Sequence, residues 1–196
     1  FMTYKIAVLA STRGTDLQAI FEEIDAGLLP DVEVSVVVSN VENCGALEKA
    51  REHGVRAIFV DPAGKSKEEY DEELASLVGE VDLVCLIGYM KILSEGFVKK
   101  YEGKIINVHP ALLPKYGGKG FYGQNVHEAV IAAGEKESGM TIHFVTPKVD
   151  SGEILIQKTV AIEEGENAES LKGKVQALEK KYYPEAIRLL SRKRHL

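Results

Sequence analysis

Leu83-Val84-Cys85-Leu86-Ile87 is a run of five apolar residues, the length of a strand, with no polar residue on either face. Such a strand has to be covered from both sides. That condition is met inside a parallel sheet, where crossover helices pack on both faces. The residues ahead of this run suit the same arrangement. Ile6 to Leu9 forms a short apolar run ended by Ser11, Thr12 and Gly14. Leu17, Ile20, Phe21 and Ile24 then recur at helical spacing until Gly27. Val32 to Val38 reads as a second strand, Gly45 to His53 as a helix stopped by Gly54, and Val55 to Val60 as a third strand. Ser66 and Glu69 have capping-box spacing and open a helix to about Val78. The alternation predicts an α/β fold: a doubly wound, mostly parallel sheet with a Rossmann-like N-terminal half.

After Leu83–Ile87 the pattern changes. Ile105 to His109 reads as a strand ended by Pro110. Leu112 to Gly120 is too rich in Gly and Pro for regular structure, and Gly117 to Gly120 is expected to be mobile. A helix is predicted over Val126–Ala133, strands over Met140–Val145 and Ile154–Val160, and a last helix over about Ala168–Leu190. With no repeat or long linker in view, the reading is one domain over 1–196. Residues 2–104 are expected to form a phosphate-binding half and 105–190 a catalytic half. Phe1 precedes Met2 and carries no part of the argument.

A hydrophobic fraction of 45% allows a sizeable core, and the formal net charge of −6 argues against a nucleic-acid partner. The one dense basic run, Ser191 to His195, reads as a solvated tail. No stretch reaches the ~18 apolar residues of a membrane span, and no signal-peptide pattern is present, so no membrane partner is expected. Cys44 and Cys85 lie far apart and belong to no ligand cluster. Neither a metal site nor a disulfide is expected, and the compartment is expected to be the cytoplasm.

Chemistry concentrates at two places. Ser11-Thr12-Arg13-Gly14-Thr15 joins the first strand to the first helix. A helix start offers free N–H groups and the positive end of the helix dipole, which suits a phosphate. Gly14 lets backbone approach closely, Thr15 adds a hydroxyl and Arg13 adds charge. The same residues also suit an ordinary helix cap by Thr15 or Asp16. A dinucleotide site would need G-x-G-x-x-G and an acidic residue roughly 20 positions on. This loop has one glycine, and the second strand ends Ser39-Asn40. The Walker pattern G-x-x-x-x-G-K-[ST] is missing too.

The second place is the end of the strand at Ile105–His109. Asn107 and His109 are two apart, so their side chains share a face. An amide N–H and an imidazole together can stabilise a developing oxyanion, and the imidazole can carry protons. Asp150, in the turn Val149-Asp150-Ser151-Gly152, supplies a carboxylate able to orient the ring. A histidine at a strand end can equally be a hydrogen-bonded structural residue.

Asn107-Val108-His109-Pro110-Ala111-Leu112-Leu113-Pro114 carries an N-x-H-P-x-L-L-P pattern. Ser138-Gly139-Met140-Thr141-Ile142-His143-Phe144-Val145, followed by Asp150-Ser151-Gly152, is a second match. Over Ile6 to about Leu190 the chain resembles the glycinamide ribonucleotide formyltransferase family of purine synthesis. The resemblance implies the formyltransferase fold and formyl transfer from 10-formyltetrahydrofolate, a co-substrate, to the amine of glycinamide ribonucleotide. No metal is implied. By the same resemblance Asn107, His109 and Asp150 are the catalytic residues. Arg13, Gly14, Thr15, Asp16, Lys67, Gln176 and Glu179 bind the acceptor. Tyr89, Met90, Lys91, Ile92, Leu93, Asn107, His143, Val145 and Asp150 meet the folate. His143 supports the site through hydrogen bonds, while His53, His127 and His195 receive no role. The resemblance departs at the phosphate loop: where relatives often carry G-x-G-S-N-L, this chain has Asp16, an acid that suits a phosphate site only by turning back to cap the helix.

Methionyl-tRNA formyltransferase and formyltetrahydrofolate hydrolase share the N-x-H-P signature. Each carries a further domain that is not expected here, and the Q-x-x-E of Gln176 and Glu179 favours a nucleotide acceptor. A binding module without turnover, and formyl transfer to another amine such as a nucleotide sugar, stay open at this point. The protein is expected to be a monomer or a homodimer.

Overall fold

The computed structural model describes residues 3–193. Its first half contains β1 (Tyr4–Ala10), α1 (Thr15–Asp25), β2 (Val32–Ser39), α2 (Gly45–Glu52), β3 (Arg56–Phe59), α3 (Lys67–Val78), β4 (Leu83–Ile87) and α4 (Glu95–Lys100). Then follow β5 (Ile105–His109), α5 (Gln124–Ala132), β6 (Glu137–Phe144), β7 (Ile154–Ala161) and α6 (Ala168–Lys193). The strands form one sheet in the order β3-β2-β1-β4-β5-β6-β7. β1 to β5 are parallel, whereas β6 runs antiparallel to both β5 and β7. The predicted doubly wound α/β sheet is present, and its strand order reverses between β1 and β4.

The unbroken apolar character of the central strands has a direct cause. Ile6, Val8 and Ala10 of β1, with Leu83, Cys85 and Ile87 of β4, join a core that also holds residues of α1, α2 and α6. The alternate residues Ala7, Leu9, Val84 and Leu86 join a second core with Tyr70, Leu74, Phe97 and Val98 of α3 and α4. Both faces are dry, so neither can carry a polar residue at low cost. The first core draws on both halves of the chain, because Leu171, Val175, Tyr183 and Ile187 of α6 pack with the residues of β1.

α4 was not anticipated from the sequence. It has only six residues, too few for an apolar repeat to show. Ser94 starts it by accepting a hydrogen bond from the Phe97 amide at 3.2 Å, and Phe97 and Val98 are buried. The capping box at Ser66 and Glu69 forms as the spacing predicted. Ser191 to Lys193 finish α6, with Ser191 buried, so this part of the basic run is helix and not tail. Arg194 and His195 lie outside the described residues.

One buried contact fixes α6 against the sheet. The Tyr183 hydroxyl donates to the Leu86 carbonyl at 2.9 Å, at the carboxyl end of β4. Tyr183 is fully buried, so Tyr183→Phe is expected to lower stability by about 1–2 kcal/mol. Thermal denaturation checks this, and an unchanged Tm would show that the hydroxyl adds no net stability.

Candidate active site

The carboxyl ends of β1, β4 and β5 open into a cleft of about 680 Å³ at the strand-order reversal. Clefts in open α/β sheets hold ligands at this place. The N-terminus of α1, the segment after β4, the loops around 118–124 and 145–150, and one face of α6 wall it.

Antiparallel pairing of β5 with β6 sets Asn107 opposite His143. The Asn107 amide donates to His143 Nε2 at 3.3 Å, while His143 Nδ1 donates to the Phe144 carbonyl at 3.0 Å. Those bonds fix a neutral ring protonated on Nδ1. Burial agrees, since it lowers the pKa of His143 against the opposing pull of the Phe144 carbonyl and Asp150. The approach of His143 Nε2 to Asp150 Oδ1, 3.6 Å, is therefore a contact between a neutral ring and a carboxylate.

His109 is almost wholly buried. Its Nε2 donates to the Tyr116 carbonyl at 2.6 Å, and its Nδ1 lies 3.7 Å from Asp150 Oδ2. The same Asp150 oxygen accepts a hydrogen bond from the Gly118 amide at 2.8 Å. Asp150 sits in the left-handed region at φ 51°, which aspartate tolerates better than most residues. Asn107, His109 and Asp150 thus meet at the mouth of β5. Both donors already have partners: one amide N–H goes to His143, and the His109 Nε2–H goes to Tyr116. Asn107 keeps a second amide N–H.

Arg13, Thr15 and Asp16 line the cleft. Gly14 does not. It caps α1 at φ 69°, and a Cβ there would come within 2.9 Å of Ala46 in α2. The turn and the packing against α2 both require glycine here, at the N-terminus of α1. Thr15 and Asp16 provide no side-chain cap either. Lys67 is exposed at the start of α3, beyond the residues that wall the cleft. Lys172 lines the cleft instead, one turn before Gln176 on the face that continues to Glu179. The spacing of Lys172, Gln176 and Glu179 along one helix face was the signal for it.

Tyr89 to Leu93 line the opposite wall, with Met90 and Ile92 largely exposed. Lys91 Nζ is held 4.9 Å above the ring of Tyr70. His143 and Val145 also face the cleft. His127 is a lining residue that the sequence reading left without a role. Burial first and Lys172 second lower its pKa to about 4, so its ring is neutral near pH 7. Its Nδ1 is buried without a hydrogen-bond partner among the described residues. Nothing in the sequence marked it, because a histidine on an amphipathic helix is ordinarily structural. Among the described residues, no group of three His, Cys, Asp or Glu could hold a metal ion. No helix there is long and apolar enough to cross a membrane.

A formyl transferase family model matches residues 4–187. The chloroplastic phosphoribosylglycinamide formyltransferase of Vigna unguiculata is 38% identical over 97% of this chain and 62% of its own length. The trifunctional purine biosynthetic protein adenosine-3 of Gallus gallus is 38% identical over 95% of this chain and 18% of its length. The chain therefore spans less than two thirds of these relatives. Among solved structures, glycinamide ribonucleotide transformylase 1 from Symbiobacterium toebii superposes with a TM-score of 0.90 at 38% identity, covering 98% of this chain and 89% of that one. Phosphoribosylglycinamide formyltransferase from Bacillus halodurans gives 0.88 at 36% identity, covering 95% of each.

Proposed function

Because this chain belongs to the formyl transferase family, we propose that it transfers the formyl group of 10-formyltetrahydrofolate to the amine of glycinamide ribonucleotide. The observation that carries this reading is the meeting of Asn107, His109 and Asp150 at the mouth of β5, in the cleft that the α1 N-terminus also enters. The relatives named above support the choice of acceptor.

In this reading the acceptor amine attacks the formyl carbon, and the carbonyl electron pair moves to oxygen. The free N–H of Asn107 and the Nε2–H of His109 donate to that oxygen. For this the formyl oxygen takes the place of the Tyr116 carbonyl on His109. Asp150 orients the ring through Nδ1. Collapse of the intermediate breaks the bond to the folate nitrogen, and the amine proton reaches that nitrogen through water or His109. Arg13, Thr15, Lys172 and Gln176 surround the phosphate end of the acceptor, and Tyr89 to Leu93 with Val145 surround the folate ring. These assignments are part of the proposal. Two unpaired, buried cysteines suit a reducing compartment such as the cytoplasm.

Incubating the purified protein with 10-formyltetrahydrofolate and either glycinamide ribonucleotide or an amino-sugar nucleotide tests the reading. Formylated glycinamide ribonucleotide, with release of tetrahydrofolate, is the expected product. Turnover of the amino sugar alone, or no loss of the formyl donor with either acceptor, overturns it.

A further inference from the structure

The cleft wall at Tyr89–Leu93 belongs to an irregular segment, with no helix or strand from 88 to 94. Met90 is 49% and Ile92 59% exposed, so the segment has little burial of its own to hold it. Such a wall binds well only if its shape is fixed before the ligand arrives, because ordering it on binding costs affinity. Backbone N–H groups of an irregular segment have to be met by side chains or water. Two of them here are met by side chains from elsewhere in the chain, one towards each end.

At the first end the Met90 amide donates to Ser11 Oγ at 2.9 Å. The Ser11 hydroxyl itself donates to Asn40 Oδ1, just beyond β2, which fixes its rotor and leaves a lone pair for Met90. The Ser11 amide donates to the Gly88 carbonyl at 3.1 Å, so one residue grips the segment twice. At the other end the Ser94 amide donates to the carboxylate of Asp71 in α3, a side chain that is almost wholly buried. Ser94 is also the cap of α4, so this carboxylate lies at the positive end of that helix. Tyr70, next to Asp71 in α3, carries Lys91 above its ring. Neither Ser11 nor Asp71 is among the residues that wall the cleft.

We propose that Ser11 and Asp71 are positioning residues that pin the Tyr89–Leu93 wall at its two ends and thereby set the affinity for the formyl donor. This rests on the reading of that wall as the folate side of the cleft. Freeing either end lets the wall sample other shapes and leaves Asn107, His109 and Asp150 in place at the mouth of β5. Donor binding then weakens while the chemical step is preserved, so KM for the donor changes and kcat does not. Because neither side chain walls the cleft, its effect on binding passes through the segment it holds.

Ser11→Ala removes one pin and Asp71→Ala the other, while Asp71→Asn keeps an acceptor oxygen for Ser94. Hydrogen–deuterium exchange reads the pinned amides directly. Exchange is expected to quicken at Met90 in Ser11→Ala and at Ser94 in Asp71→Ala, with Asp71→Asn close to wild type. Calorimetric titration with tetrahydrofolate should give a Kd about fivefold higher in Ser11→Ala and in Asp71→Ala. The Kd of Asp71→Ala for glycinamide ribonucleotide, and kcat at saturating donor, should stay within about twofold of wild type. Unchanged exchange at both amides overturns the pinning. Faster exchange with an unchanged Kd for tetrahydrofolate, the result of a merely structural role, overturns the link to donor affinity. An equal rise in both Kd values in Asp71→Ala overturns it too. Ser11→Ala removes only one oxygen from a half-buried residue, and it decides the matter alone should Asp71→Ala not fold. If wild type binds no tetrahydrofolate, the reading of the wall as the folate side falls and takes the donor-affinity claim with it, while the exchange results still decide the pinning.

Discussion

His109→Ala and Asn107→Ala are each expected to lower kcat by about 10²–10³-fold while nucleotide binding persists. In the proposed mechanism each substitution removes one of two N–H donors to the oxygen that gains charge, and a donor of this kind acts mainly in the transition state. Asn107→Ala has a second consequence. It strips His143 Nε2 of its 3.3 Å donor and leaves that nitrogen facing Asp150 Oδ1 at 3.6 Å. Removal of His109 leaves the Tyr116 carbonyl without its 2.6 Å partner, so the 116–118 segment loses one of its ties to β5. Single-turnover formyl transfer in each variant checks the prediction, and near-normal rates in either one would remove that residue from the chemistry. The double variant should cost much less than the product of the two single effects, since the two donors serve one oxygen.

Gly152→Ala is expected to destabilise the fold by about 3 kcal/mol and to abolish activity in what remains folded. A Cβ at this position would land on the carbonyl oxygen of Phe144 and lie 2.7 Å from its carbonyl carbon. Both atoms are backbone, so no side chain can swing aside. The Phe144 amide meanwhile donates to the Glu153 carbonyl at 2.9 Å, which binds the turn to the end of β6. Making room for the methyl means pulling this turn away, and Asp150, two residues earlier, moves with it. His109 then loses its carboxylate. Thermal denaturation should show Tm lower by roughly 6–12 °C for a chain of this size. Ser151→Ala is the control, since the Ser151 hydroxyl bonds only within the exposed turn, to the Lys148 carbonyl at 2.8 Å and to Thr146 at 3.2 Å. A Gly152→Ala protein with unchanged Tm and activity would contradict the close packing of this turn.

Much of the fold was legible because burial is written into the strands. β1 and β4 lie between two dry layers, and only uninterrupted apolar residues satisfy that. α4 was hidden because its six residues offer no repeat, and its cap at Ser94 is meaningful only once the partner layer is known. The site divides in a similar way. Asn107 and His109 could be placed on one face by strand geometry alone, whereas Asp150 came from its turn and from the family resemblance. The hydrogen bond from His109 to Tyr116 could not be read, because it is made by a backbone carbonyl in an irregular segment, and any residue type supplies that group. Lys172 could not be placed from its position in the chain, because it reaches the cleft only through the packing of α6. At Gly14 the chain alone could not show the close packing against Ala46, which adds to the turn's own demand for glycine.

The central claim is that one formyl oxygen gathers the donors of Asn107 and His109 while Asp150 backs the imidazole. The most direct measurement is a crystal structure of the protein with glycinamide ribonucleotide and a non-reactive analogue of 10-formyltetrahydrofolate. The account predicts the analogue's formyl oxygen within hydrogen-bond distance of Asn107 Nδ2 and His109 Nε2, with the Tyr116 carbonyl moved off the ring. A bound analogue whose formyl oxygen points away from both, with Tyr116 still accepting from His109, would contradict it.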